Sequence, residues 1–357
     1  MRSPVNFAMH GCQFGEPLTE IFQPDDLPPR IASAGAHRAE SVPRFSAKIG
    51  ESRVMSGSVD LNSRVVGCLL GGAMGDAWGG PWEGKPGPIS FHVPERPVLS
   101  DDTELTLATC EAIIESGCVE PATLAAHFVH WFRAGRIHGM GSSTLKAVRD
   151  LAAGTHWALA GARGEYAAGS GAAMRIAPLA FLLDPVNPDH RVVIRDVSRI
   201  THHSDEAYVG ALAVLLAIHS VLSGSWSPQR TFLALTLDNL PDSAVRDRIE
   251  QLAHAQLPTA EVAARLGASG HVVDTVPLAL YCAQSIASND LSDVLAMTIS
   301  AGGDTDTIAS IAGQLAGTVV GVAGVPSHLL PTIQGADNVV ATAHQFADFV
   351  CNRIRRS

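Results

Sequence analysis

The acidic residues of this chain gather into two knots that read as oxygen-donor sites. One is Gly302-Gly303-Asp304-Thr305-Asp306-Thr307, in which two carboxylates stand two residues apart beside hydroxyls. The other, Ser100-Asp101-Asp102-Thr103, lies about two hundred residues upstream. Each opens a helical pattern, where the irregular first turn can aim neighbouring side chains at one point. Carboxylate and hydroxyl oxygens suit Mg²⁺ or Mn²⁺, and no Cys or His cluster competes for Zn²⁺. The alternative is N-capping, since Ser and Asp accept hydrogen bonds from the free N–H groups of a helix start. Two such knots in one acidic chain favour metal. The expectation is that they meet in space and hold divalent metal between them.

Three further segments carry chemical groups. Glu83 sits in Trp78-Gly79-Gly80-Pro81-Trp82-Glu83-Gly84, a loop where a carboxylate can act as acid or base or grip a ribose hydroxyl. Its alternative is an ordinary surface glutamate. Gly135-Arg136-Ile137-His138-Gly139-Met140-Gly141-Ser142-Ser143 and Ala168-Gly169-Ser170-Gly171-Ala172-Ala173-Met174-Arg175 are glycine-rich turns that run into helices. Backbone N–H groups at such turns can receive phosphate oxygens, though both also read as plain helix starts. The first follows no strand, which weakens a dinucleotide-fold reading, and the second lacks the spacing of a nucleophile elbow. His202 and His203 precede Ser204-Asp205, and capping with incidental histidines is the plain reading. His127 and His130 read as packing or surface residues.

The elements that must position these groups are helices. From Leu61 an apolar stripe begins, and Gly67, Gly71, Gly75 and Gly79 recur every fourth residue. Glycine weakens a helix by about 1 kcal/mol against alanine. A row of four therefore signals close approach by a neighbouring helix. Gly313, Gly317 and Gly321 repeat the pattern after Asp304, so the two helices are expected to be central and closely packed. Further helices are predicted at 103–116, 121–134, 141–152, 171–183, 191–201, 205–223, 227–238, 242–254, 258–266, 273–287, 290–300 and 337–354, with Pro121 and Asp290 as start signals. Ile89 to Val93 alternates like a short strand between prolines. The sum is an all-α fold: a compact multi-helix domain over 59–357 after an irregular extension over 1–58. That extension holds six prolines and four of the chain's eleven phenylalanines, which suggests either a mobile leader or an arm that docks on a partner.

Composition bounds the rest. The chain of 357 residues is 46% hydrophobic, 17% charged and 5% aromatic, as suits a well-buried globular protein. A net charge of −10 argues against a general nucleic-acid binder and requires metal or another device to hold an anionic ligand. The six cysteines form no C-x-x-C pair and read as reduced thiols in a cytoplasmic protein. The N-terminus has no apolar core segment of a signal peptide. Thr307 to Ala336 lacks any Asp, Glu, Lys or Arg, but its small residues and prolines read as a buried core helix and not a membrane span.

Taken in order, the segments resemble the ADP-ribosylglycohydrolase family over about residues 61 to 350. The matching pieces are Gly71-Gly72-Ala73-Met74-Gly75-Asp76-Ala77 with Glu83, Ser100-Asp101-Asp102-Thr103 and Gly139-Met140-Gly141. They continue with Gly169-Ser170-Gly171-Ala172-Ala173-Met174-Arg175, Thr201-His202 and Gly302 to Thr307. The resemblance implies an all-α fold with two Mg²⁺ ions, or Mn²⁺, in a cleft. It implies that Ser100, Asp101 and Asp102 ligate metal from one side and Asp304, Asp306 and Thr307 from the other, with Glu83, Asp102 and Asp304 as the catalytic set. Gly139, Gly141, Ser142, Gly169, Ser170, Gly171 and His202 would bind the diphosphate and adenosine. Ser100 stands where Thr is commoner, and Ser170 where many members have Asn. The implied activity is hydrolysis that removes ADP-ribose from modified protein, with arginine as the expected acceptor. Some members resemble immunity proteins whose N-terminal extension plugs an ADP-ribosyltransferase toxin, and the arm over 1–58 makes direct toxin binding the alternative. A third reading is action on free ADP-ribose derivatives or another nucleotide.

Overall fold

A computed structural model describes residues 59–356. The extension over 1–58, and the docking role expected of it, lie outside the described residues. The described chain is built from 13 α-helices with short 3₁₀ turns between them. In order these are α1 (Leu61–Gly79), α2 (Asp101–Ser116), α3 (Pro121–Arg133), α4 (Ser142–Ala152), α5 (Pro188–Arg199), α6 (Asp205–Leu222) and α7 (Phe232–Leu237). There follow α8 (Ala244–Ala253), α9 (Thr259–Leu266), α10 (Val272–Ala283), α11 (Leu291–Ser300), α12 (Thr305–Val320) and α13 (Ala336–Arg356). The all-α class expected from the glycine and apolar periodicities is the class observed.

The centre of the domain is the pair α1 and α12. A Cβ added at Gly67, Gly71, Gly75 or Gly79 would fall within 3.0 Å of the backbone of α12, at the carbonyls of Gly317, Gly313, Ala309 and Thr305. Gly313 and Gly317 meet the backbone of α1 in the same way. Main chain lies against main chain, so the entropy cost of glycine is offset by contact that no side chain would allow. The Thr305 hydroxyl donates to the carbonyl of Gly79 at 2.9 Å and fixes the register of the two helices. Around this pair, α13 packs on α1 and α2, α10 and α11 pack on α12, and α6, α8 and α9 pack on α10. Trp78, Met74, Leu105, Leu107, Phe128 and Phe346 fill the space between with almost no exposure.

Local chemistry sets the helix starts. Asp60 caps α1 by accepting from Ser63 N, and Ser100 caps α2 by accepting from Asp102 N. Asp290 caps α11, and Pro121 opens α3. The helix expected over 171–183 is replaced by two 3₁₀ turns, Ser170–Ala172 and Ala177–Phe181. Pro178 lacks a donor, so the chain there tightens into a 3₁₀ turn that Pro178 helps open, and a long-range partner takes a local carbonyl: Gln314 Nε2 donates to Met174 O at 2.7 Å. The helix expected over 227–238 shrinks to Phe232–Leu237 because Pro228 sits in a turn and Thr231 caps the start. Helix α10 stops at Ala283 and tightens into a 3₁₀ turn, Gln284–Ala287. The strand signal at 89–93 forms no strand: its main chain makes one bond from Ile89 N to Ser300 O. The strand pair among the described residues is a two-residue parallel one, Ala162–Arg163 with His202–His203. The charge-free run after Thr307 opens as a buried helix that ends at Gly321, where φ is 67°, and continues in short 3₁₀ turns at Val322–Gly324 and Leu330–Thr332. A different helix, Asp205–Leu222, is long and apolar enough to cross a membrane, and 72% of it is buried inside the fold.

Candidate active site

The contact of α1 with α12 brings three helix ends together. Asp76, in the last turn of α1, is fully buried. Its carboxylate accepts from the Ser100 N–H and from the Ser100 hydroxyl at 2.7 Å, and from the Thr103 N–H and the Thr103 hydroxyl at 2.5 Å. Those four donors occupy the lone-pair directions a carboxylate offers. Asp76 therefore anchors the start of α2. That anchoring aims Asp101 and Asp102 toward the start of α12, where Thr307 Oγ1 donates to Asp102 Oδ2 at 3.2 Å across 205 positions of sequence. The two remote acidic knots meet.

A third strap adds Glu83. Gly302 and Gly303 adopt φ of 79° and 88°, and a Cβ on either would strike backbone, at Gly87 N and at Ala268 O respectively. This tight passage lets Gly84 N donate to Gly303 O and Gly303 N to Lys85 O, both at 2.8 Å, while Asp304 N donates to Ala268 O at 2.7 Å. The loop of Glu83 is thereby stitched to the loop of Asp304. Carboxylate oxygens of Asp76, Asp102 and Asp306 lie within 4.8 Å of one another, as do those of Glu83, Asp304 and Asp306.

So many carboxylates in one buried place raise one another's pKa. Burial, then the charges of neighbouring aspartates, pushes Asp101 up to about 8; burial pushes Asp76 up to about 7. Asp102 and Asp304 are held well above the carboxylate range, by burial first and the charge of Asp306 second. Glu83 is raised by the charge of Asp306 and then by burial. Asp102 Oδ1 is buried and has no hydrogen-bond partner. An all-oxygen donor set, mutual repulsion and one unpartnered carboxylate oxygen are together what a hard divalent cation resolves. The residues present fit such an ion.

Beside the acids opens a cavity of about 410 Å³. It is lined by Glu83, Asp101, Asp102, Asp304, Asp306 and Thr307 on one side, and by Gly139, Gly141, Ser142, Gly169, Ser170, Gly171 and His202 on the other. All the site residues expected from sequence line this one cavity except Ser100, whose hydroxyl turns to Asp76 and Asp102. Gly141 precedes α4, and no side chain caps that helix start. The turn at Gly169 to Gly171 is tied down: Ser170 N donates to Gly270 O at 3.1 Å, and Arg175 donates to Gly171 O. Arg175 is 1% exposed, lies over the Phe128 ring and is lowered to about 10 by burial. Its task is to hold this turn from behind. Burial, then the charges of Arg175 and His203, lowers His202 to about 3, so it is a neutral imidazole held by Thr201 Oγ1 at 2.7 Å. The capping alternative for this segment is not what forms: Ser204 makes no side-chain cap, and His203 reaches Ala160 O at 2.6 Å. His127 and His130 stay outside the cavity, with His127 against Glu115.

Sequence reasoning assigned no role to Asp76 and overlooked Tyr166 and His271. The signal for Asp76 was present, because it is the one acid inside the apolar run of α1. Tyr166 lines the cavity with 93% of its surface exposed, and His271, the exposed cap residue of α10, lines it too. Neither carried a spacing that would have marked it.

Fold and site define the class. The ADP-ribosylglycohydrolase family model matches residues 57–355, and the chain belongs to that family. It is accordingly a glycohydrolase that acts on ADP-ribose. An uncharacterised protein of Archaeoglobus fulgidus is 30% identical over 72% of this chain and 88% of its own length. The ADP-ribosylarginine hydrolase Tri1 of Pseudomonas putida is 27% identical over 80% of this chain and 78% of its own. The human ADP-ribosylhydrolase ARH3 is 26% identical over 76% and 90%. Among solved structures, an ADP-ribosylglycohydrolase-related protein complex superposes with a TM-score of 0.64 at 25% identity, covering 81% of this chain and 99% of that one.

Proposed function

We propose that the protein removes ADP-ribose from arginine side chains of modified proteins, with two Mg²⁺ ions, or Mn²⁺, as cofactor. The observation that carries this is the convergence of Asp101 and Asp102 with Asp304 and Asp306 on one cavity, with Asp102 Oδ1 left unpartnered. Ser100, Asp101, Asp102, Asp304, Asp306 and Thr307 would hold the ions. When bound, divalent cations supply positive charge that orients ribose hydroxyls and a water and offsets developing negative charge. The arginine assignment is supported by likeness to a relative named as an ADP-ribosylarginine hydrolase.

The chain's own groups do the rest. The uncapped start of α4 at Gly141 and Ser142, and the turn at Gly169 to Gly171, present N–H groups to the diphosphate. Neutral His202 binds without adding charge, and Tyr166 offers a face on which adenine stacks. These contacts set the anomeric carbon between the acids and Glu83. The oxygen of water then bonds to that carbon as its bond to the guanidine nitrogen breaks. One proton of the water passes through Glu83 to the departing nitrogen, giving free ADP-ribose and unmodified arginine.

The test is release of labelled ADP-ribose from an arginine-modified protein by the purified enzyme, with and without chelator, beside small ADP-ribose derivatives. Release from the protein that chelator stops and Mg²⁺ restores is the expected result. Cleavage of the small derivatives alone would move the reading to free nucleotide substrates. Direct binding of a toxin rests on residues 1–58, outside the described residues, and no observation favours it.

A further inference from the structure

A second cavity, of about 590 Å³, adjoins the first. Glu83, Gly270 and Asp304 line both. The rest of its wall is small and apolar: Ala260, Ala263 and Ala264 from α9, and Ala268, Ala301 and Pro88 from the loops around it. It contains no Lys, Arg or aromatic residue, and its charged groups are the two acids at the shared wall. Ala264, Gly84, Pro86 and Ser269 on its rim are exposed, so the cavity opens to solvent.

We infer that this second cavity receives the modified arginine itself, with its aliphatic stem against the alanines of α9 and its guanidinium beside Glu83. The inference rests on the arginine reading above and deepens it. Nucleotide in the first cavity places the bond to be cut at the shared wall, so the leaving group must point away from the phosphates and into the adjoining space. An alkyl chain ending in a planar cation matches walls that are apolar along their length and acidic at their inner end. The volume exceeds that of one arginine side chain and leaves room for the main chain on either side of it, which enters over the exposed rim. Specificity for the acceptor then resides in α9 and the 84–88 loop, apart from the groups that hold ADP-ribose.

Ala264→Trp tests this, because Ala264 is exposed and a large side chain there fills the mouth of the cavity without entering the core. With a synthetic peptide carrying ADP-ribosylarginine, the variant raises KM about tenfold, the size of effect that shape changes in an apolar pocket produce. The dissociation constant for free ADP-ribose, measured by calorimetry, stays at the wild-type value. Ala260→Lys, which sets a cation in the path of the guanidinium, raises KM for the same peptide. Unchanged KM in both variants, with active wild-type enzyme, overturns the inference and leaves the proposed activity standing. Equal loss of ADP-ribose binding and of peptide turnover overturns it too, because the cavity would then belong to the nucleotide. If wild-type enzyme releases nothing from the peptide, the arginine reading falls and the inference with it.

Discussion

The two sides of the active-site cavity are built by different means. On the metal side, α1 and α12 lie backbone to backbone, and four glycines of one helix face carbonyls of the other. On the side proposed for nucleotide, loops are tied by several hydrogen bonds: His138 to Glu104 and Asp101 before Gly139, Ser170 N to Gly270 O and Val272 N to Ala168 O about Gly169, with Arg175 behind Gly171. The first arrangement tolerates no added atom. In the second, a Cβ at Gly139, Gly141 or Gly169 would meet nothing within 3.0 Å, and one at Gly171 would meet the side chains of His202 and Thr144 instead of backbone. Chemistry that needs several carboxylates at fixed spacing is placed on the rigid side, and ligand recognition is left to the adaptable one.

The largest expected effect breaks the rigid side. Gly75→Leu drives a side chain into the carbonyl of Ala309. Forcing atoms into so tight a contact costs about 3 kcal/mol or more, and activity falls with stability. Thermal unfolding of the variant beside wild type measures it. Next in size is Asp304→Asn with Asp306→Asn, which lowers ADP-ribose release on the order of 10³-fold while the helices remain folded. In the metal-free state this double variant is more stable than wild type, because two repelling carboxylates are gone. A stability loss as large as that of Gly75→Leu would show that the acids serve the fold and not a cation.

Acidity separates the two sides further. Burial raises Asp76 to about 7 and Asp101 to about 8, against about 4 for a carboxylate in an unfolded chain. The folded state therefore binds more protons than the unfolded one. Metal-free protein loses stability as pH rises from about 6.5 through 8, while at lower pH buried His202, lowered to about 3, works against the acids. Its melting temperature is expected to be higher at pH 6 than at pH 8, and the gain on adding Mg²⁺ larger at pH 8. The smallest effect is on the adaptable side. Tyr166→Ala removes an exposed ring, leaves the melting temperature unchanged and raises KM about tenfold through lost stacking on adenine.

The same contrast governs what the sequence could say. The rigid side was legible because glycines at every fourth residue in two separate helices have one physical use, and two Asp-rich helix starts have few. Asp76 was harder, since its role as the anchor of Ser100 and Thr103 is a tertiary contact. The adaptable side was legible only as glycine-rich turns. The break at Pro178 and the exposure of Tyr166 depend on partners far away in the chain, such as Gln314, which takes the carbonyl of Met174.

Ser100 to Asp102 and Asp304 to Thr307 are proposed to form one site for divalent cations. Anomalous diffraction from crystals grown with Mn²⁺ tests it most directly. Strong peaks are expected between Asp101 and Asp102 on one side and Asp304 and Asp306 on the other, with Asp102 Oδ1 turned toward an ion. Crystals in which this cluster shows no peak at saturating Mn²⁺, with the four carboxylates bonded only to protein and water, would contradict it.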